Sequence, residues 1–387
     1  MGSTPILPIS FLPPIRPLLR VTPSSVYKTQ ADDRKESLWS QAVKGERLLV
    51  ARKKAGLSLR ALADKAGNVV TPQAIGKYER NEMAASPSVV AALAGALDVD
   101  AAFLNADSGV RLGQIDFRKL SRTTAQDRAV VEAAVIEHVE RYLHIERLLE
   151  LGSAVWQPPY QRCLVATMDE TEEAAERLRD AWRLGEDPIP DLTHLLEEKG
   201  LKVLVLHLPD TVSGLTCLVH GRNADAVPVI VVNRRHGLER RRMTLAHELA
   251  HRCMSSNETI DEEKAATRFA SAFLMPASHV RREVGKHRSA LGVDELMETK
   301  RLYRVSAAAL LVRFRDLGII RQETLAYVFQ TVGRRWRSEE PDPIRGGSQA
   351  ELPTRFRRLC HRAVSEGLLP KSVAAEYLSQ NAEALTA

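Results

Sequence analysis

Between about Glu36 and Leu104 apolar positions recur at three- and four-residue steps, in short stretches cut by turn residues. An amphipathic stretch ends at Lys53-Lys54-Ala55-Gly56, a second opens at Ser58 and breaks at Gly67-Asn68, and a third opens at Thr71-Pro72. After Ala85-Ser86-Pro87 an apolar helix runs from Ser88 to Leu97. The pattern predicts a compact all-α domain over residues 38–107. Residues 115–150 read as one long charged helix whose stripe is Val130, Val131, Ala134, Val135, His138, Tyr142, Ile145 and Leu149. Such a helix serves as a connector or a dimerisation element, here within a helical connector spanning 108–174. Trp156-Gln-Pro-Pro159 interrupts, and a further helix from about Thr171 to Leu184 stops before Gly185-Glu-Asp-Pro-Ile-Pro190.

The period then changes. A short helix over Asp191–Lys199, stopped by Gly200, is followed by three β-branched runs, Lys202–Leu208, Leu215–His220 and Val227–Asn233, which predict a small sheet. Helical periodicity returns over Glu239–Met254 and over Asp261–Leu274, closed by Met275-Pro276, and continues to Gly318. Residues 175–325 therefore read as an α+β domain, and 326–387 as a helical C-terminal region with a Gly346-Gly347 linker. The fold class expected is multidomain, α and α+β.

A hydrophobic content of 44% over 387 residues suffices for two or three packed cores. The net charge of +6 is compatible with a polyanionic partner without demanding one. Cys163, Cys217, Cys253 and Cys360 lie far apart with no C-x-x-C pair, which argues against a disulfide framework or a thiolate zinc site and for a reduced, cytoplasmic setting. The apolar stretch Pro5–Arg20 carries too many prolines for the helical core of a signal peptide, so residues 1–37 are expected to be a disordered leader. Ile6 stands where a myristoylation motif needs Ser or Thr, and no apolar run reaches membrane-spanning length.

The second and third N-terminal helices have the makings of a helix-turn-helix. Ser58 can cap one and Thr71 the other, Pro72 suits a first helical position, and Gly67-Asn68 permits a left-handed turn. Ile75 and Tyr78 would face inward, which leaves Gln73 and Lys77 outward. Gln73 can pair bidentately with adenine, and Lys77 and Arg60 suit phosphates, so Arg60, Thr71, Gln73 and Lys77 are the candidate contacts to double-stranded DNA. Residues 44–104 resemble the Cro/cI-like XRE family of repressors, apart from Gly76, where Ser is commoner in the family. A helical bundle that binds protein is the competing reading.

In a helix, His247 and His251 project from one face at the separation a tetrahedral zinc requires. Glu248, one step round, can reach the attacking water as general base. Met243, Leu245, Ala246, Leu249 and Ala250 suit a buried helix, and Arg240-Arg241-Arg242 reads as its exposed start. A third ligand is needed. Glu263 shares a face with the small residues Ala266 and Ala270, whereas Glu258, Asp261 and Glu262 read as acids compensating a helix dipole. His220, His236, His279 and Tyr303 are candidate oxyanion donors of low specificity, and Cys253 reads as a buried bystander. The tail arginines Arg334, Arg335, Arg337 and Arg355 to Arg358 read as a solvated face.

About residues 175–325 resemble the ImmA/IrrE metallopeptidases. Arg242-Met-Thr-Leu-Ala-His-Glu-Leu-Ala-His251 is similar to their active-site helix and Glu263–Pro276 to their second helix, and the resemblance implies Zn2+ held by His247, His251 and Glu263 with Glu248 catalytic. The chain has Ala250 and Thr267 where the family tends to have Gly and Asn, and neither change is expected to touch a ligand. The fused architecture implies a DNA-binding regulator with a zinc endopeptidase that cleaves a helix-turn-helix repressor or antitoxin, in itself or in a protein partner, in stress, phage or mobile-element regulation. A homodimer fits the long helix. The alternative is a transcription factor whose zinc domain senses a ligand or partner without turnover.

Overall fold

The computed structural model describes residues 43–105, 110–115, 124–151, 156, 158–221, 226–336 and 338–378. The leader expected over 1–37 lies outside them, as does Arg337.

The N-terminal helices are α1 (Gly45–Lys54), α2 (Leu59–Lys65), α3 (Pro72–Glu79), α4 (Pro87–Leu97) and α5 (Ala101–Asn105). The Ser58, Thr71 and Ser86 hydroxyls accept from Ala61, Ala74 and Val89 amides and cap α2, α3 and α4. Gly67 and Asn68 both adopt positive φ, 75° and 55°, and so turn α2 into α3. Leu48, Leu62, Ile75, Leu93 and Leu104 form a fully buried core. Gly45 is required sterically, since a Cβ there would lie 2.4 Å from the Tyr78 and Glu79 carbonyl oxygens. Arg52 completes the join between α1 and α3, its guanidinium reaching both Glu79 oxygens at 2.5 and 2.8 Å.

The long helix α6 (Ala125–Leu148) starts at a Thr124–Asp127 capping box. Val131, Val135 and Val139 cover one face of a sheet, and Ile145 and Leu149 pack on the C-terminal helices α15 (Arg355–Ser365) and α16 (Lys371–Leu378). Its acids face α1, where Lys53 meets Glu132 at 3.0 Å, Lys54 meets Glu137 at 2.6 Å, and Arg47 pairs with Glu140. Burial opposes ionisation of Glu137, but Lys54 and Arg141 prevail and hold its carboxyl below the ordinary range. Of the stripe expected to serve a connector or a dimer, Val131, Val135, Tyr142, Ile145 and Leu149 are buried within the chain.

The connector is not helical throughout. Val110–Ile115 is a strand, β1, where the helical reading had begun, and Cys163–Val165 is a second, β2. The alternation Val110-Arg111-Leu112 carried the strand signal, but three positions are too few to outweigh the helical period that follows. With β3 (Lys202–Leu206), β4 (Gly214–Gly221) and β5 (Ala226–Asn233), β1 makes a four-stranded sheet of order β1-β4-β5-β3. β3 and β5 are parallel and the other pairs antiparallel.

The second sheet face packs on α9 (Leu238–Cys253), with Val203, Ile230 and Val232 against Leu245, Ala246 and Leu249 in one core. The chain then runs through β6 (Met254–Ser256), parallel to β2, into α10 (Glu262–Leu274). α10 is backed by α7 (Met168–Trp182), where Trp182 meets Phe273 edge-on at 5.9 Å and Arg179 donates to the Phe273 carbonyl at 2.7 Å. The remaining helices are α8 (Leu192–Glu198), α11 (Ala277–Val284), α12 (Val293–Tyr303), α13 (Ala307–Asp316) and α14 (Gln322–Gln330). No helix among the described residues is long and apolar enough to cross a membrane.

The start of α9 differs from expectation. Arg240 is exposed, but Arg241 and Arg242 are 2% and 0% exposed because the C-terminal segment lies over them. Arg241 donates to the Ala350 carbonyl, and Arg242 pairs with Glu351 at 2.6 Å and donates to the Ile189 carbonyl at 2.7 Å. Arg355 is likewise no solvated residue, since it meets Glu146 at 2.6 Å and the Tyr142 hydroxyl at 3.0 Å.

Candidate metal centre

Small residues let the two site helices approach. Ala246 and Ala250 of α9 and Ala266 and Ala270 of α10 are all fully buried in the same core. The sheet side is equally close, since a Cβ on Gly214 would fall 2.5 Å from Thr244 Cγ2. α9 therefore presents His247 and His251 to α10, their rings edge to face with centroids 5.1 Å apart.

Three donors converge there. His247 Nε2 lies 3.0 Å from Glu263 Oε2 and 3.4 Å from His251 Nε2, and His251 Nε2 lies 3.6 Å from Glu263 Oε1. Donors bound to zinc at about 2.0–2.2 Å in a tetrahedron sit roughly 3.3–3.6 Å from one another. Two of the observed separations, 3.4 and 3.6 Å, fall in that range and the third, 3.0 Å, is shorter, and two imidazoles with one carboxylate are a donor set that suits zinc. Among the described residues His247, His251 and Glu263 form a group able to hold a metal ion. Glu248 is 2% exposed, on the same helix between the two histidines.

The outward ring nitrogens also have neighbours. His247 Nδ1 lies 3.2 Å from Thr267 Oγ1, and His251 Nδ1 lies 3.5 Å from Glu262 Oε1. Thr267, expected to be neutral toward the site, thus touches a ligand candidate. The spacing places Thr267 on the Glu263 face of the helix, four residues on, but does not contain its approach to His247.

Two of the oxyanion candidates pair with each other. His279 Nδ1 and the Tyr303 hydroxyl share a buried hydrogen bond of 2.6 Å, and burial raises the Tyr303 pKa. His236 precedes α9, its pKa pushed down to about 4 by burial and by Arg240. His220 sits on β4 opposite Arg111 of β1. Cys253 is buried, with its thiol pushed up to about 12 by burial.

In the helix-turn-helix, Arg60, Thr71, Gln73 and Lys77 are exposed and Ile75 and Tyr78 are buried. Thr71 Oγ1 is engaged in capping, at 3.2 Å from the Ala74 amide. Gly76 is buried, and a Cβ there would meet Leu59 Cδ1 at 3.5 Å, an ordinary contact, and the end of the Arg80 side chain at 3.3 Å.

Residues 196–315 match the family model of the IrrE N-terminal-like domain, and residues 48–104 match that of a helix-turn-helix. The chain joins a DNA-binding helix-turn-helix of XRE type to an IrrE/ImmA-like metallopeptidase-type domain. All four residues of the site, His247, Glu248, His251 and Glu263, fall within the peptidase match. The strand β1, the helix α6 and the segment around Glu351 fall outside both matches. No curated protein and no solved structure matched the chain.

Proposed function

We propose that the chain is a cytoplasmic DNA-binding regulator whose peptidase domain is a zinc-dependent endopeptidase, with a helix-turn-helix repressor or antitoxin as its protein substrate. In this reading the DNA-binding domain spans 38–107 and the peptidase domain 175–325. The observation that carries it is the triangle of His247, His251 and Glu263 with buried Glu248 beside it on α9. Bound zinc would polarise the scissile carbonyl and acidify the attacking water. Glu248 takes the proton from that water and hands it to the leaving amine.

The reading has a direct test. The full chain loaded with zinc is incubated with purified helix-turn-helix proteins, its own N-terminal domain included, and products are read by mass spectrometry. Glu248→Gln is expected to retain zinc and lose on the order of a hundredfold or more in cleavage rate. Equal cleavage by this variant would remove Glu248 from the chemistry. No metal-dependent cleavage of any such protein would favour a non-proteolytic sensor.

For the DNA-binding half, Arg60, Gln73 and Lys77 stand on exposed faces of α2 and α3. Lys77→Glu is expected to weaken duplex binding and flatten its salt dependence by about one phosphate contact. A salt slope equal to that of the unaltered chain would take Lys77 out of the interface.

A further inference from the structure

We infer that Thr267 is a positioning residue of the metal centre, which holds His247 with its proton on Nδ1 and leaves Nε2 to ligate. This rests on the zinc reading above. The Thr267 hydroxyl lies 2.8 Å from the carbonyl oxygen of Glu263, which can only accept, so its single proton is committed there. What the oxygen still offers at 3.2 Å to His247 Nδ1 is a lone pair. An imidazole lone pair facing it would be repelled, whereas an Nδ1–H is bound. His247 Nε2 then carries the lone pair, and it is Nε2 that points at Glu263 and His251.

The same division of labour is seen at the second histidine. His251 Nδ1 faces Glu262 Oε1 at 3.5 Å while its Nε2 faces the triangle. One and a half turns of α10 thus supply the carboxylate ligand from Glu263 and an acceptor for the outer nitrogen of each histidine, from Glu262 and Thr267. Because the Thr267 proton goes to the backbone of Glu263, the ligand candidate and the ring acceptor are locked as one unit. Partners of this kind raise the basicity of a ligating imidazole and fix its orientation, and their loss weakens metal binding by about 10- to 100-fold.

Thr267 is exposed and its removal opens no core cavity. Metal-free full-length protein is titrated with zinc against a chromophoric chelator, for the unaltered chain, Thr267→Val, Thr267→Ser and His247→Ala. Thr267→Val, which keeps the shape and loses the oxygen, is expected to bind about tenfold or more weakly, and Thr267→Ser to stay within about threefold. Unaltered affinity in Thr267→Val, or equal weakening in Val and Ser, overturns the inference. If His247→Ala binds zinc as the unaltered chain does, the zinc reading itself fails. If His247→Ala loses zinc while Thr267→Val does not, only the role of Thr267 falls.

Discussion

Replacing His247 by alanine is expected to lower zinc affinity by about two orders of magnitude. Zinc bound by a few protein ligands is held by roughly 10 kcal/mol, so one donor of three accounts for about 3 kcal/mol, and water regains part of the loss. Glu263→Ala is expected to fall in the same range, because Oε1 and Oε2 both face the imidazole nitrogens at 3.6 and 3.0 Å. Glu258 is exposed and outside the triangle, so Glu258→Ala serves as the control that leaves affinity unchanged. The measurement is competition with a chelator, with bound metal counted in the purified proteins. Full zinc in Glu263→Ala would remove Glu263 from the ligand set. The fold is expected to survive metal removal, because α9 and α10 are already joined by the buried alanines and the phenylalanines behind them.

Replacing Glu351 by alanine is expected to destabilise the peptidase domain by about 3–5 kcal/mol, the cost of stranding a buried charge. Glu351 meets Arg242 at 2.6 Å and Arg304 at 2.8 Å, and it accepts from the Leu192 amide at 3.1 Å. The Arg242 side chain is 1% exposed, and burial lowers its pKa against the pull of Glu351. Without the carboxylate, that guanidinium keeps the Ile189 carbonyl and loses its counter-charge. Urea unfolding followed by the fluorescence of Trp182 and its neighbours would register the change, with a loss of roughly 10 °C in a thermal scan as its counterpart. A double replacement, Arg242→Met with Glu351→Leu, is expected to recover much of the loss, since the buried charge goes together with its partner, while Arg304, 29% exposed, keeps water in place of Glu351. A shift below about 1 kcal/mol for Glu351→Ala would mean that the C-terminal segment is not held against α9 by this pair.

Much of the metal centre was legible along the chain because its spacing is local. Residues four apart on a helix share a face, so His247 with His251, and Glu263 with Thr267, needed only the helical period. The choice of Glu263 among four acids rested on the small residues behind it, and in the structure those alanines are where α9 and α10 touch. The part Thr267 plays depends on the 3.2 Å approach of its hydroxyl to a histidine of another helix, which no spacing contains. The oxyanion candidates went the other way. His279 and Tyr303 are occupied with each other, a pairing across 24 positions that composition could not have foretold.

By itself the sequence determined the helices, their caps, the turn at Gly67-Asn68, the three central strands and the histidine pair, since each depends on neighbours within a few residues. Only the tertiary structure decided that Val110–Ile115 joins the sheet and that the stripe of α6 is buried within the chain. It also decided that Arg241 and Arg242, the second and third of a three-arginine run that reads as solvent-facing, lie beneath residues 350–351. The reason is the distance between partners. Arg242 and Glu351 are 109 positions apart, and a charge in a sequence looks the same whether water or a carboxylate will meet it.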